Sequence, residues 1–251
     1  MNDKELLKKR FSELALRSYN SGIFTFTDFL GLAELSAFDE IKQSLRGISY
    51  TLFGGHPDTE RKMIRFGCPE ELLYEEPFPI ACMKAEPLQQ KFADKLSHRD
   101  ILGALMNLGL ERENFGDIVI INNVAYIFMK TSVSDYVKDT FSRARHTDLK
   151  LSLVEELPYG ELFKTEERTL QLSGERLDAV IAKLFNLSRE DAKALFVREL
   201  VFVSGRLVTN SSYAPKKDEI VSVRGFGRFI YKSYETTSRK GKLCAKVLVY
   251  I

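Results

Sequence analysis

The sequence predicts an α+β chain, on three observations. Between residues 80 and 154 the apolar pattern reads strand, helix, strand, strand, helix, strand. Between 177 and 250, two amphipathic helical stretches lead into short β-branched runs broken by glycine. Upstream, residues 3–53 offer two helices and a strand, set apart by Gly67, Pro69 and the prolines at 77 and 79. At 251 residues there is room for two or three small domains, and an apolar share of 44% permits real cores. The expected division is an N-terminal α/β subdomain at 1–75, a βαββαβ domain at 76–157, a linker or strand at 158–172, and a C-terminal module at 173–251.

The first helix, 3–19, carries Leu6, Leu7, Phe11, Leu14 and Leu16 as apolar candidates. Thr27-Asp28-Phe29-Leu30 leads into a second helix over about 32–45, and 48–53 reads as a strand. Gly54-Gly55-His56-Pro57 makes a turn, after which Asp58 is placed to cap a short helix containing Glu60-Arg61-Lys62. In the middle segment, 80–86 is a strand and 97–108 a helix. Strands 118–121 and 124–129 form a hairpin at Asn122-Asn123, because Asn tolerates positive φ. A helix at 134–144 and a strand at 149–154 complete the block. This order resembles the split βαβ, ferredoxin-like arrangement that RNA-recognition motifs also use, although no aromatic RNP1 sequence is present.

In the last third, Leu177, Val180, Ile181 and Leu184 form one helical stripe. Ser188 is an N-cap with Asp191 three residues on, and Ala192, Leu195 and Phe196 give a second apolar face. Arg189 and Lys193, four apart, share another face and are expected to point outward. Val201 and Val203 alternate as in a strand, Ser204-Gly205 is a turn, and Lys216-Lys217 precedes a strand at 220–224. The glycines of Arg224-Gly225-Phe226-Gly227-Arg228-Phe229 allow a ligand close to the backbone, and Phe226 or Phe229 either stacks on a base or fills a small core. A hairpin of strands 229–234 and 243–250 closes the chain, with Arg239 and Lys240 in its polar turn 236–241 and Lys242 just after it.

Charge is divided unequally. Residues 172–251 hold 15 Lys+Arg against 8 Asp+Glu, a net of +7; residues 1–171 hold 22 against 27, a net of −5. A basic module on an acidic body points to a polyanionic partner. The expected binding face collects Arg189, Lys193, Arg206, Lys216, Lys217, Arg224 and Arg228, with an anion site at the helix start near Ser188 and Arg189. Such a face grips phosphates and RNA shape, since side chains cannot read the A-form major groove.

The order Arg176-Leu177-Asp178, helix, Ser188-Arg189, helix, Val201-Phe202-Val203-Ser204-Gly205, then Asp218 to Val223 resembles the S4 (αL-type) RNA-binding domain over about residues 173–225. The resemblance implies RNA contacts from Arg176, Ser188, Arg189 and Arg206; where the family carries Asn before the turn glycine, this chain has Ser204. Read from the residues alone, Arg176 and Asp178 equally fit a pair of structural hydrogen bonds. Beyond the S4 segment, Thr27-Asp28-Phe29-Leu30, Phe53-Gly54-Gly55-His56-Pro57, Glu60-Arg61-Lys62, His98-Arg99-Asp100-Ile101-Leu102-Gly103, Leu108-Gly109-Leu110 with Arg112, and Gly116-Asp117-Ile118 make nearly the whole chain resemble the bacterial YlmH-type S4-domain proteins. That resemblance implies a non-enzymatic, cytoplasmic, ribosome-associated quality-control factor. Its partners would be 50S ribosomal RNA, tRNA or peptidyl-tRNA, and other quality-control factors. Arg99 and Arg112 are candidates for a secondary RNA surface.

Other classes fit poorly. No apolar run approaches the ~18 residues of a transmembrane helix, and the N-terminus, with Asp3 and Glu5, lacks an apolar signal region. Cys68, Cys82 and Cys244 are scattered thiols without metal-ligand spacing, so neither metal nor cofactor is expected. His98-Arg99-Asp100 has the letters of a kinase catalytic loop, but Leu105 stands where that loop needs Asn. Glycine-rich nucleotide loops of the kinase or methyltransferase kind are missing. The alternatives kept are an RNA-modifying enzyme of pseudouridine-synthase type, against which the chain's short extent after the S4 match argues, and a cell-division-linked interaction scaffold.

Overall fold

A computed structural model describes residues 3–155, 163–172, 174–236 and 243–250. The chain forms two compact units, 1–162 and 163–251, and is of mixed α+β construction. In the first unit, α1 (Asp3–Ser21) buries Phe11, Leu14, Ala15 and Ser18 at helical spacing, while Leu6 and Leu16 face water. Strand β1 (Thr25–Phe26) is followed by α2 (Leu32–Ile41), which ends four residues before the sequence pattern suggests, then β2 (Tyr50–Phe53) and β3 (Met63–Phe66). These strands make an antiparallel sheet in the order β1-β3-β2. Phe38 of α2 packs edge-on against Phe11 at 5.4 Å and Phe66 at 6.0 Å, fixing both helices on the sheet. A short α3 (Pro69–Leu72) follows.

The helix expected over Glu60-Arg61-Lys62 does not form. Instead the amides of Glu60 and Arg61 donate to the carboxylate of Asp117, at 2.6 and 3.0 Å. The amide of Asp58 donates to His56 Nδ1 at 3.2 Å, and Thr59 Oγ1 to the His56 carbonyl at 2.7 Å, so His56 holds a turn. A carboxylate from 57 positions away has displaced the local cap.

The second sheet comprises β4 (Ile80–Pro87), β5 (Phe115–Ile121), β6 (Val124–Lys130), β7 (Arg143–Ala144) and β8 (Thr147–Leu153), with α4 (His98–Met106) and α5 (Thr131–Thr140) between strands. Its order is β5-β6-β4-β8-β7, and every pairing is antiparallel. Asn122 and Asn123 take φ of 51° and 65° at the hairpin turn, as their type predicts. Helix α5 starts three residues earlier than expected and stops at Thr140, because 143–144 turn back to pair with β8. Met83, Ala85, Ile127, Met129, Ile101, Leu105 and Val137 form the core between this sheet and its two helices.

The two sheets share one unit although Gly67, Pro69 and the prolines divide their sequences. The Phe29 amide donates to the Glu113 carbonyl at 3.0 Å, and Lys130 pairs with Asp28. Gly116 admits the ring of Phe29 and the Cβ of Phe128; a Cβ there would stand 2.8 Å from Phe29.

In the second unit, β9 (Thr165–Leu172), α6 (Leu177–Leu184), α7 (Arg189–Val197), β10 (Val201–Val203), β11 (Arg206–Leu207), β12 (Ile220–Val223), β13 (Gly227–Thr236) and β14 (Leu243–Tyr250) build a six-stranded antiparallel sheet and its helical layer. The strand order is β11-β10-β12-β13-β14-β9. One face of the sheet, through Val201, Val203, Val221, Val223, Phe229, Tyr231, Val247 and Leu170, packs on Leu177, Val180, Ile181, Ala192, Leu195 and Phe196 of the helices. The stretch read as linker or strand contains β9, an edge strand paired with β14 in continuous register from Leu172↔Leu243 to Thr165↔Tyr250. Only Leu170 and Leu172 of β9 are buried, so its sequence looks like a polar connection. The first part of the linker segment and the turn with Arg239, Lys240 and Lys242 lie outside the described residues.

Candidate nucleic-acid interface

Asp178 organises the start of α6. It is 0% exposed, yet both oxygens are satisfied. Arg176 donates Nε and Nη2 to it at 3.1 and 3.0 Å, and Arg189, from the start of α7, donates Nη2 to both oxygens at 3.2 and 3.1 Å. A buried carboxylate needs such charged donors to keep its charge. The two guanidiniums remain 44% and 46% exposed, so each keeps an edge in water. The Asp178 carboxylate raises the pKa of Arg176 through its hydrogen bonds. Arg189 therefore does not swing freely outward: the buried acid fixes its direction. The amides of Leu177 and Asp178 donate to the carbonyls of Tyr213 and Ser211, at 2.8 and 3.3 Å, which closes the helix start to anions.

The anion site expected at the start of α7 is also occupied from within. Ser188 Oγ accepts the Asp191 amide at 3.0 Å and donates to the Asp191 carboxylate at 2.6 Å. With Glu190 and Asp191 in the first turn, the chain's own acids meet the positive end of the helix.

The other predicted cations divide by face. Lys193 is exposed on α7, in the helix layer with Arg176 and Arg189. Arg224 stacks on Phe202 at 5.0 Å, and Phe202 alternates with the core residues Val201 and Val203. Arg228 alternates with Phe229 and stacks on Tyr250 at 3.8 Å and Phe163 at 5.5 Å. Strand alternation puts both arginines on the sheet face away from the helices. Ser204 (φ 48°) and Gly205 (φ 81°) make the tight turn before Arg206, which lies within electrostatic reach of Tyr213. Tyr213 in turn donates to Glu219, which also accepts the Lys216 amide at 2.7 Å. Asp218 is held ionised to low pH by its hydrogen bond from Lys232 and then by the nearby Lys217. Arg189 and Lys193 on the helix layer are thus separated from Arg224 and Arg228 on the opposite sheet face, where the sequence reading expected one outward patch. Strand periodicity around Arg224 and Arg228 already carries that signal; the second donor to Asp178 has none, being eleven residues away.

In the first unit, Arg112 turns inward. Its Nη1 donates to the carbonyls of Phe115 at 2.6 Å and Gly116 at 3.2 Å, and Arg61 Nε reaches the same Phe115 carbonyl at 3.0 Å. Burial, followed by the charge of Arg61, brings the Arg112 pKa down to about 10, so it stays charged at neutral pH. Arg99 is exposed. Asp100 closes a capping box, accepting the Ser97 amide at 2.9 Å and its hydroxyl at 2.6 Å. The Cys82 thiol is pushed up to about 12 by burial, against a lowering hydrogen bond from Ile127, and has no nucleophilic character at neutral pH. Among the described residues no three metal-ligating side chains cluster, and no helix is long and apolar enough to cross a membrane.

A mixed α+β chain that sets guanidiniums on both surfaces of its C-terminal unit has the chemistry of a polyanion-binding protein. Residues 75–157 match the family described as "Putative RNA-binding domain in YlmH". Over 225 residues the chain is 30% identical to the ribosome-associated protein quality control protein P2 of Bacillus subtilis (strain 168), covering 86% of this chain and 83% of the relative. The chain belongs to the YlmH-type family. Among solved structures, the cell division protein ylmH from Streptococcus pneumoniae is similar with a TM-score of 0.48 and 19% identity, covering 61% of this chain and 92% of that one.

Proposed function

We propose that this protein is a non-enzymatic RNA-binding factor that associates with the large ribosomal subunit in quality control of stalled translation, contacting ribosomal RNA together with peptidyl-tRNA. The relationship to the Bacillus subtilis quality-control protein over most of both chains is the observation that carries the reading. In it, residues 173–251 act as an S4 domain and 76–157 as a ferredoxin-like RNA-binding domain. The strand order β5-β6-β4-β8 and the helix pair α6–α7 before a basic sheet support that layout. Arg176 and Arg189, each with one edge in water, and Lys193 present a preset group of cations to a phosphate backbone. The burial of Asp178 under two guanidiniums favours an architectural role for it over the catalytic role an aspartate of that motif has in pseudouridine synthases.

The test is co-sedimentation with ribosomal subunits across a salt series. Lys193→Ala, which leaves the Asp178 cluster intact, is expected to weaken binding and to flatten the log–log salt slope by up to about 0.9. Binding indifferent to Lys193 and to the paired change Lys216→Ala, Lys217→Ala would remove this unit from the interface. Appearance of new modified nucleosides on incubation with bulk RNA would favour the enzymatic alternative.

A further inference from the structure

The segment joining β4 to α4, residues 88–96, is tied down along its length. The Leu88 amide donates to the Asp148 carbonyl at 3.0 Å, and Gln90 Nε2 to the Asn122 carbonyl at 2.9 Å. The Asp94 amide donates to Thr147 Oγ1 at 2.8 Å, and its carboxylate accepts the His146 amide at 3.1 Å. Asn123 uses both ends of its side chain, donating to the Asp94 carbonyl at 2.9 Å and accepting the Leu96 amide at 2.7 Å. The segment is thereby fastened to two turns of the sheet, the β5–β6 hairpin and the β7–β8 turn. Yet this pinned loop holds Phe92 79% and Leu88 61% exposed. A single exposed ring is ordinary on a protein surface, so the chemistry around Phe92 decides what it serves.

The surrounding chemistry selects the partner. Lys91 stands 5.8 Å from the Phe92 ring centroid, and neither Lys91 nor Lys95 has an ion-pair partner among the described residues. The acid of the loop, Asp94, is directed inward to the His146 amide. Gln89 and Lys91 interrupt the apolar side chains, so no continuous greasy surface exists for a protein to bury. An exposed ring with one ammonium over it and a second exposed lysine in the same loop offers an unpaired base a stacking surface and its flanking phosphates cations. The open face of the same sheet is less suited: its aromatic, Tyr126, stands across from Lys84, whose ammonium is tied to Glu86 at 2.7 Å.

We propose that the loop 88–96 is a docking site for an unpaired base of single-stranded RNA, with Phe92 as the stacking surface and Lys91 and Lys95 as partners of the adjoining phosphates. The inference rests on the RNA-binding reading above and locates an interaction that reading leaves open. The test is fluorescence anisotropy on the full-length chain with two probes, a single-stranded oligouridylate and an RNA duplex. Phe92→Ala is expected to weaken oligouridylate binding roughly 5- to 150-fold, while Phe92→Trp retains it. Lys91→Ala with Lys95→Ala lowers the salt slope by about 0.7 for each phosphate no longer neutralised. Duplex affinity and the thermal midpoint stay unchanged in Phe92→Ala. Unaltered oligouridylate affinity in Phe92→Ala overturns the inference. So does a loss that appears in Tyr126→Ala instead, or a Phe92→Ala defect confined to ribosome binding, which would indicate a protein partner. A chain that binds the duplex but not the oligouridylate sinks this inference alone; one that binds neither sinks the RNA-binding reading with it.

Discussion

A carboxylate cut off from water must find donors within the protein, and at Asp178 those donors are the two arginines most naturally assigned to RNA. Removing them together leaves a buried, unpartnered charge. Arg176→Ala with Arg189→Ala is expected to destabilise the second unit by on the order of 3 kcal/mol. Asp178→Asn keeps the shape and frees two half-exposed guanidiniums to water, so about 1–2 kcal/mol is expected. Urea titrations of both variants check the order, and a larger loss in Asp178→Asn would contradict this account. Loss of RNA affinity on changing Arg189 therefore reports two effects at once, whereas Lys193 reports one. Sequence alone pairs Arg176 with Asp178 because they are two residues apart. It releases Arg189 to solvent because nothing in a single helix pattern reveals an acid buried on the preceding helix.

Elements whose signals are local are legible in the sequence, and those whose partners are distant are not. The sequence reading begins a helix at Ser97, and the structure shows there a reciprocal cap between Ser97 and Asp100. Ser97→Ala is expected to cost about 1 kcal/mol, read from the shift of the denaturation midpoint. An unchanged midpoint would mean that the buried side chains of Ile101 and Leu105 alone fix the helix. Asn122-Asn123 likewise specifies its own turn. By contrast, the cap assigned to Asp58 fails because Asp117 captures the neighbouring amides. The early end of α5 is hidden because β7 is two residues long and carries no periodicity. The loop 88–96 is silent in sequence for a similar reason: one phenylalanine among polar residues has no pattern, and only its hydrogen bonds show that it is held outward.

At the scale of the whole molecule, two units with separate cores imply two melting events. The first unit has cores around Phe11, Phe38 and Phe66 and around Met83, Ile127 and Val137; the second has its own around Val180, Phe196 and Val221. Scanning calorimetry is expected to give a van't Hoff enthalpy below the calorimetric one. A single two-state transition would show that the units unfold as one. The charge asymmetry and the α+β class are visible in composition and periodicity, because both are sums over many residues. The true start of the second unit is not, since β9 writes its membership in backbone hydrogen bonds and only two leucines. That strand has a practical bearing. A fragment trimmed to the helix pair, beginning at residue 173, would strip β14 of its neighbour and bare a row of eight backbone positions. Such a raw border invites pairing between molecules, so clumping by that fragment would speak of a missing hem and not of a defective domain.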